Sequence, residues 1–422
     1  MKSLLGFTLA LGTALGTLFF STPAQAGGVF KVRAFGALGD GKTKDTAAFQ
    51  KALDACQAAG GGTVLVSEGY YLIGSIVLGS HTTLQLEGRA NLIGSSDLAD
   101  YPLVRVRWEG EFAQGHRALL SAEQAEHVGI TGRGSIFGPP ISLSRLRNPR
   151  GPSLIEFSEC RDVTLEGFAT QYQQLWSIHL VLCRGIVARN LTIRTINFNG
   201  DGLDIDSCAD VLIERCNVDT GDDAVVLKSG RGAAAEKLAR PTENVVIRDC
   251  TLQSSLYAGL AFGTELSGGI RNVRVENCVI SGRQNGIFFK SREGRGGFIE
   301  NVTGEHLTVQ NSPTFLGVNL LNKGIQASDP VTGIPEQWTR LRNIRFSHIQ
   351  VHNVGDLVLA QNVSRTQPVD GLTLSDIQGS CSRALRLANM TNVTLAGIQV
   401  TGYQGAFLTQ TNVQGVGLSA PN

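Results

Sequence analysis

Leu203-Asp-Ile-Asp-Ser-Cys208 lies 25 residues after Ile178-His-Leu-Val-Leu-Cys183, which lies 23 residues after Ile155-Glu-Phe-Ser-Glu-Cys160. Each run places apolar residues at alternate positions and closes on cysteine. Val225-Val-Leu-Lys-Ser229, Leu260-Ala-Phe-Gly-Thr264 and Ile287-Phe-Phe-Lys-Ser291 extend the series at spacings of 22, 35 and 27 residues. Period-two alternation in so short a run is the mark of a strand with one buried face. A repeat of such strands decides the architecture ahead of any single motif.

A second strand follows inside most repeats: Val163-Thr-Leu, Val187-Ala-Arg-Asn-Leu, Val211-Leu-Ile, Val245-Val-Ile and Val273-Arg-Val, then Ile344-Arg-Phe, Leu372-Thr-Leu and Val393-Thr-Leu. Helical patterns between them are almost absent, whereas a doubly wound sheet needs a helix at each crossover. A coil whose turns each contribute two or three strands, stacked about 4.8 Å apart, needs none. The spacing therefore predicts an all-β chain: a single-domain right-handed parallel β-helix of roughly ten turns. Residues 45–59 break the pattern, with apolar residues at helical spacing ended by Gly60-Gly-Gly62. This segment reads as an N-terminal capping helix that covers the exposed strand edges of the first turn. Cys160, Cys183 and Cys208 share one repeat position, and Cys216, Cys250 and Cys278 another. Without zinc-type spacing they read as two stacked columns of small buried side chains. Disulfides are permitted in an exported chain, with no pairing implied.

The chain's 422 residues would ordinarily suggest two or three domains, but the repeat and the lack of a linker favour one, over 27–422. Its 37 basic and 36 acidic residues argue against a nucleic-acid or membrane-surface binder. Its 51 glycines and 6% aromatics suit many tight turns better than a large aromatic core. Residues 1–26 read as a signal peptide: Lys2, an apolar run from Leu4 to Phe20, and Thr22-Pro-Ala-Gln-Ala26 as a small-x-small cleavage site. The run is short for a spanning helix, which disfavours a membrane anchor. A secreted or periplasmic protein is expected.

Aspartate is concentrated in two adjacent repeats, Asn199-Gly-Asp-Gly-Leu-Asp-Ile-Asp-Ser-Cys208 and Thr220-Gly-Asp-Asp-Ala-Val-Val-Leu-Lys-Ser229. Aligning Ser207 with Ser229 sets Asp201 beside Asp223, with Asp222 adjoining. Like charges crowded across two rungs raise the pKa of at least one member. The result is a protonated acid beside ionised bases, which glycoside hydrolysis requires. The alternatives for such a cluster are backbone capping and calcium binding.

The wider pattern resembles glycoside hydrolase family 28, the polygalacturonases. The resemblance runs in order through Phe35-Gly-Ala-Leu-Gly-Asp-Gly-Lys-Thr-Lys-Asp-Thr46, Gly60-Gly-Gly-Thr-Val64, Trp176-Ser-Ile-His179, both aspartate motifs, Arg240-Pro-Thr-Glu-Asn244, Leu266-Ser-Gly-Gly269 and Gly294-Arg-Gly-Gly297. It implies a pectin lyase-like β-helix that hydrolyses pectic polysaccharide or oligosaccharide in pectin degradation. It also implies Asp222 as general acid, Asp201 and Asp223 as the carboxylates that activate water, and inversion at the anomeric carbon. Inversion fits a wide carboxylate separation with room for water. The family's Asn-Thr-Asp is Asn199-Gly-Asp201 here. The motif histidine is replaced by Ala258, and the motif arginine before Lys290 by Phe288. The acid machinery is kept while half of the implied uronate clamp is lost.

Strand alternation sorts the cleft wall further. With Leu203 and Ile205 inward, Asp204 and Asp206 face outward, in columns with His179, Val226, Ala261 and Phe288 and with Lys228 and Lys290 respectively. Lys228 is expected to pair with Asp206 on a solvated surface. Lys290, Trp176, His179, Tyr257 and Phe288 are the candidate substrate contacts, with core packing the competing role for Trp176. Arg292 and Arg295 read first as a solvated turn. No cofactor or metal is called for, nor a nucleic-acid or membrane partner, and the chain is taken as a monomer. A pectate-lyase-type enzyme, which needs calcium and a base, and a non-catalytic polysaccharide-binding β-helix are the competing functions. Amino-terminal sequencing of the exported protein is expected to begin at Gly27; recovery of the Leu4–Phe20 segment would count against the signal.

Overall fold

The computed structural model describes residues 27–419 apart from Gln174 and residues 322–337. The expected signal peptide lies outside the described residues. The chain winds into a right-handed parallel β-helix in which each turn gives three strands to three parallel sheets. Every strand quoted above as a first strand falls in one sheet, with Ile155, Ile178, Leu203, Val225, Leu260 and Ile287 in a single inward column. That column continues to Leu316, Val358, Leu385 and Leu408. The second strands form another sheet, with Val163, Ile186, Val211, Val245, Val273, Val302, Ile344 and Leu372 in register. Here the expected pattern slips by one residue: Ile186, not Val187, enters the core column. The third sheet is built from shorter strands such as Thr192–Thr195, Asn217–Thr220 and Thr251–Ser254.

These columns make one continuous apolar core from Val32 to Phe407. At the amino end the helix Thr46–Ala58 seats Phe49, Ala52, Leu53 and Cys56 against the first turn, as the apolar spacing requires. Asp45 at its start accepts from the Leu38 and Gly39 amides and so fixes the glycine-rich entry turn. Six cysteines lie as expected in two buried columns, and all eight are buried free thiols. Their Sγ atoms point at backbone carbonyls of the preceding turn, Cys208 at Leu180 (3.3 Å) and Cys250 at Ile213 (3.8 Å).

Two features have no counterpart in the repeat pattern. An antiparallel hairpin, Leu103–Trp108 with Glu111–His116, interrupts the coil. A short helix, Gly232–Leu238, follows an active-site strand and ends where Ala239 turns left-handed. Asparagines also stack at one corner of the coil. Asn343 donates to Asn301 (3.1 Å), Asn301 to Asn272 (3.1 Å), and Asn272 to Asn244 (3.2 Å). All four sit in the left-handed region with φ between 55° and 57°. Asparagine tolerates this conformation, and its amide both donates and accepts along the stack. Asn301→Ala is expected to cost about 2 kcal/mol, combining a left-handed alanine with lost ladder bonds. Asn301→Gly should cost roughly half as much, since glycine accepts the conformation. Urea unfolding checks both, and equal losses would remove the conformational part of the explanation.

Candidate active site

The sheet that holds Leu203 differs from the other two. The strands Ile178–Val181, Leu203–Asp206, Val225–Lys228 and Ala258–Phe262 are buried on both faces. Their outward side chains lie beneath the hairpin and neighbouring loops, so polar residues there must be paired. Asp201 stands in the turn entering Leu203–Asp206, and Asp222 and Asp223 in the turn entering Val225–Lys228. Both turns need glycine. A Cβ on Gly202 would meet the Ala224 carbonyl at 2.3 Å, and one on Gly221 the Asn197 backbone at 2.3 Å. Thr195 ties the two turns together: its hydroxyl donates to the Gly200 carbonyl and accepts from the Gly221 amide (2.9 Å).

The turns bring Asp201, Asp222 and Asp223 into one cluster, with one carboxylate oxygen of each within 4.8 Å of the others. Asp222 accepts from the Asn199 amide (2.9 Å) and, on its other oxygen, from the Asp223 amide (2.9 Å). Asp223 accepts from the Ala258 amide (3.2 Å) and from Lys290 Nζ (2.5 Å). Asp201 Oδ2 lies 3.5 Å from Lys228 Nζ, while its buried Oδ1 has no partner among the described residues. Burial, aided by the Asp223 charge, lifts Asp222 to a pKa of about 6. Burial, with Asp204 and Asp222 nearby, pushes Asp201 well above the usual carboxylate range. The titration therefore belongs to the cluster, which retains a proton under conditions where isolated aspartates are ionised. The tight spacing corrects one expectation. Inverting carboxylate pairs stand roughly 6.5–9.5 Å apart, and here the closest oxygens are nearer than that.

Beneath the hairpin lies a chain of buried charges. Lys228 does not pair with Asp206 on a solvated surface. It is buried, bonds Asp204 Oδ1 at 2.5 Å, and rests 3.6 Å from the centre of the Trp176 ring. Asp206 is taken instead by Arg107 of the hairpin (3.1 Å). Burial works against charge on both groups. The Asp204 and Asp201 charges nonetheless raise the Lys228 pKa, and the Arg107 guanidinium lowers that of Asp206. His179 is wholly buried between Glu156 (3.1 Å) and Asp206 (3.9 Å). Trp176 is 3% exposed and packs on Trp108 at 4.5 Å. Neither side chain presents a face to solvent, so the packing role expected as the alternative for Trp176 is the one its surroundings provide. Arg295 is also buried rather than in a solvated turn, where after Lys228 it helps hold Glu265 ionised.

The remaining candidates do face the cleft. Phe288 is partly exposed and packs on Val226, Ala258 and Ala261, a small apolar patch separate from the core. Tyr257 is half-buried, edge-on to Phe198 at 5.8 Å, and its pKa is raised by burial and then by Asp222. Lys290 is held against Asp223. Among the described residues, the three aspartates are the grouping that offers a cation three carboxylates. Two ammonium groups already stand against Asp223 and Asp201, supplying the positive charge that a bound metal would bring. Arg107, Arg150, Glu156 and Thr195 were not singled out from sequence. The arginines carry no motif; Arg107 meets Asp206 through the hairpin, and Arg150 meets Glu156 from the loop before the next rung.

A cluster of three carboxyls with a raised pKa, set in a cleft on the side of a parallel β-helix, defines a carbohydrate-active enzyme of the glycosidase type. The sequence profile of glycosyl hydrolases family 28 matches residues 56–399, and the chain belongs to that family. A probable polygalacturonase of Vitis vinifera is 30% identical over 367 residues, covering 82% of this chain and 72% of that one. An exo-poly-alpha-D-galacturonosidase of Dickeya chrysanthemi is 27% identical over 67% of this chain, which spans 55% of that protein. Among solved structures, the hyperthermoactive exopolygalacturonase of Thermotoga maritima superposes with a TM-score of 0.76 at 26% identity, covering 92% of this chain and 91% of that one. The family 28 exopolygalacturonase of Yersinia enterocolitica gives 0.81 at 20% identity, over 93% and 79%, and shares the fold.

Proposed function

We propose that the protein is an exported hydrolase of pectic polysaccharide or oligosaccharide, working by a three-aspartate inverting mechanism with altered substrate preference. The observation that carries this reading is the cluster of Asp201, Asp222 and Asp223 on two adjoining rungs, with Asp222 raised to about 6. Access separates the roles. Asp222 is the most exposed of the three, 8% against 4% for Asp201 and 2% for Asp223. It can therefore reach a glycosidic oxygen as general acid. Asp201 and Asp223 are stacked one rung apart, each beside a lysine ammonium, and together hold the attacking water. Lys228, Asp204 and the His179–Glu156 pair hold Asp201 and its strand in place. Phe288 and Tyr257 shape the sugar pocket, and Trp176 supports Lys228.

Asp222→Asn is expected to lower turnover on a natural glycoside by about 100- to 10,000-fold with binding largely retained. Substrates with good leaving groups should partly rescue it but not Asp201→Asn or Asp223→Asn. Because the acid must be protonated, wild-type turnover should fall as pH rises through about 6. The close carboxylates make product stereochemistry the sharpest check. An NMR time course should show the inverted anomer, and a retained anomer would overturn the mechanism.

The Phe288 patch bears on substrate. With Ala258 and Phe288 in place of two motif residues, and Lys290 engaged by Asp223, that wall offers an apolar surface to the ring beside it. Unsubstituted polygalacturonate should be cleaved poorly, and a branched or rhamnose-containing pectin, or a modified oligosaccharide end, preferred. Product analysis across a panel of pectic substrates tests this, with rapid endo-cleavage of polygalacturonate the contrary result.

A further inference from the structure

A cavity of about 300 Å³ opens beside the general acid, lined by Trp108, Arg145, Arg147, Leu175, Phe198 and Asn199 among others. It lies at the small end of the range for ligand pockets, a size suited to one or two sugar rings. It shares a residue with the catalytic cluster, because the Asn199 amide that lines it donates to Asp222 Oδ2 at 2.9 Å. A ring seated there therefore lies next to the group that protonates the leaving oxygen.

The charges around the cleft are distributed unevenly. Lys228, Lys290, Arg107 and Arg150 are each committed to a carboxylate of the fold. Arg145 and Arg147 are exposed and have no ion-pair partner among the described residues. Two uncommitted guanidiniums at one cavity form a receptor for a planar carboxylate, which arginine binds through paired N–H groups. The cavity is also lined by the 42% exposed Phe198, whose ring face suits the apolar face of a pyranose, while the Trp108 ring is already covered by Arg150 and Trp176.

We infer that this cavity is a subsite for an acidic sugar, with Arg145 and Arg147 binding its carboxylate and Phe198 its ring. The cationic recognition missing at Phe288 is thus supplied at this cavity, so the enzyme reads an acidic ring here and a neutral or esterified ring against Phe288. This inference takes its chemical class from the hydrolase reading and deepens it.

The test is calorimetry on the mature Asp222→Asn chain, with digalacturonate and its methyl ester as probes of matched shape and different charge. Digalacturonate should bind at least about tenfold more tightly than the ester, a margin of one charge-assisted contact. The double substitution Arg145→Gln with Arg147→Gln should erase that margin while leaving ester binding and the melting temperature unchanged, since both side chains are exposed. In the otherwise wild-type chain the same pair should raise KM for acid-bearing oligosaccharides about tenfold or more with little change in kcat. Equal binding of acid and ester by the parent, or an unchanged margin in the double variant, overturns the subsite. A wild-type chain that cleaves no pectic oligosaccharide, yet loses its preference for the acid when the arginines are replaced, would sink the hydrolase reading and leave the subsite standing.

Discussion

Parallel rungs in register place each side chain over its counterpart in the next turn, about 4.8 Å away. Everything in this molecule follows from what tolerates that stacking. Aliphatic side chains do, and the inward column from Ile155 to Leu408 is the result. Amides do as well, because one group donates upward while accepting from below, as Asn272 and Asn301 show. Carboxylates do not. Two ionised groups at 4.8 Å repel by roughly 3 to 4 kcal/mol at an effective dielectric near 20. That is about two to three pKa units, before burial adds its own cost.

The fold answers this with cations drawn from different places. Lys290 comes from a rung further along the same sheet and meets Asp223. Lys228 lies on the rung after Asp204 and bonds it from there. Arg107 arrives from the inserted hairpin and meets Asp206. The compensation is incomplete within the catalytic cluster: Asp222 has backbone amides but no cation in contact, and Asp201 is pushed well above the usual carboxylate range despite Lys228. A carboxyl left in that state keeps its proton to a higher pH. The same stacking that would destabilise a purely structural protein leaves this one with a usable acid.

What was legible in the sequence is what repeats. Recurring alternation exposed the core columns, the cysteine columns and the alignment of Asp201 with Asp223, because a solenoid stacks corresponding positions of successive turns even where their spacing varies. The single slip, Val187 for Ile186, came where the strand itself offers two adjacent β-branched residues. What does not repeat stayed hidden. The hairpin is an insertion outside the repeat, so no period reveals it, and with it went Arg107 and the Arg150 that bridges to it. The Lys228 error has the same origin. Register does set Lys228 opposite Asp206, but the hairpin arginine already occupies that carboxylate, so the lysine turns to Asp204. The wide carboxylate gap was expected from the family's chemistry, and the short turns tied by Thr195 hold the three groups closer.

Insertions are also where a solenoid can change its chemistry cheaply. A substitution on a rung must satisfy the rungs above and below, as the glycines at 202 and 221 show: neither has room for a methyl group. The hairpin at 103–116 and the loop carrying Arg145 and Arg147 leave the coil and return without altering the register. They can therefore gain or lose charge while the aspartate turns stay fixed. On the rungs themselves, Phe288 and Ala258 are substitutions the stack accepts, since they pack on Val226 and Ala261. The acid cluster is constrained by its neighbours on the coil, whereas the walls around it are not. In this architecture, substrate preference can move from one side of the cleft to the other without disturbing the group that breaks the bond.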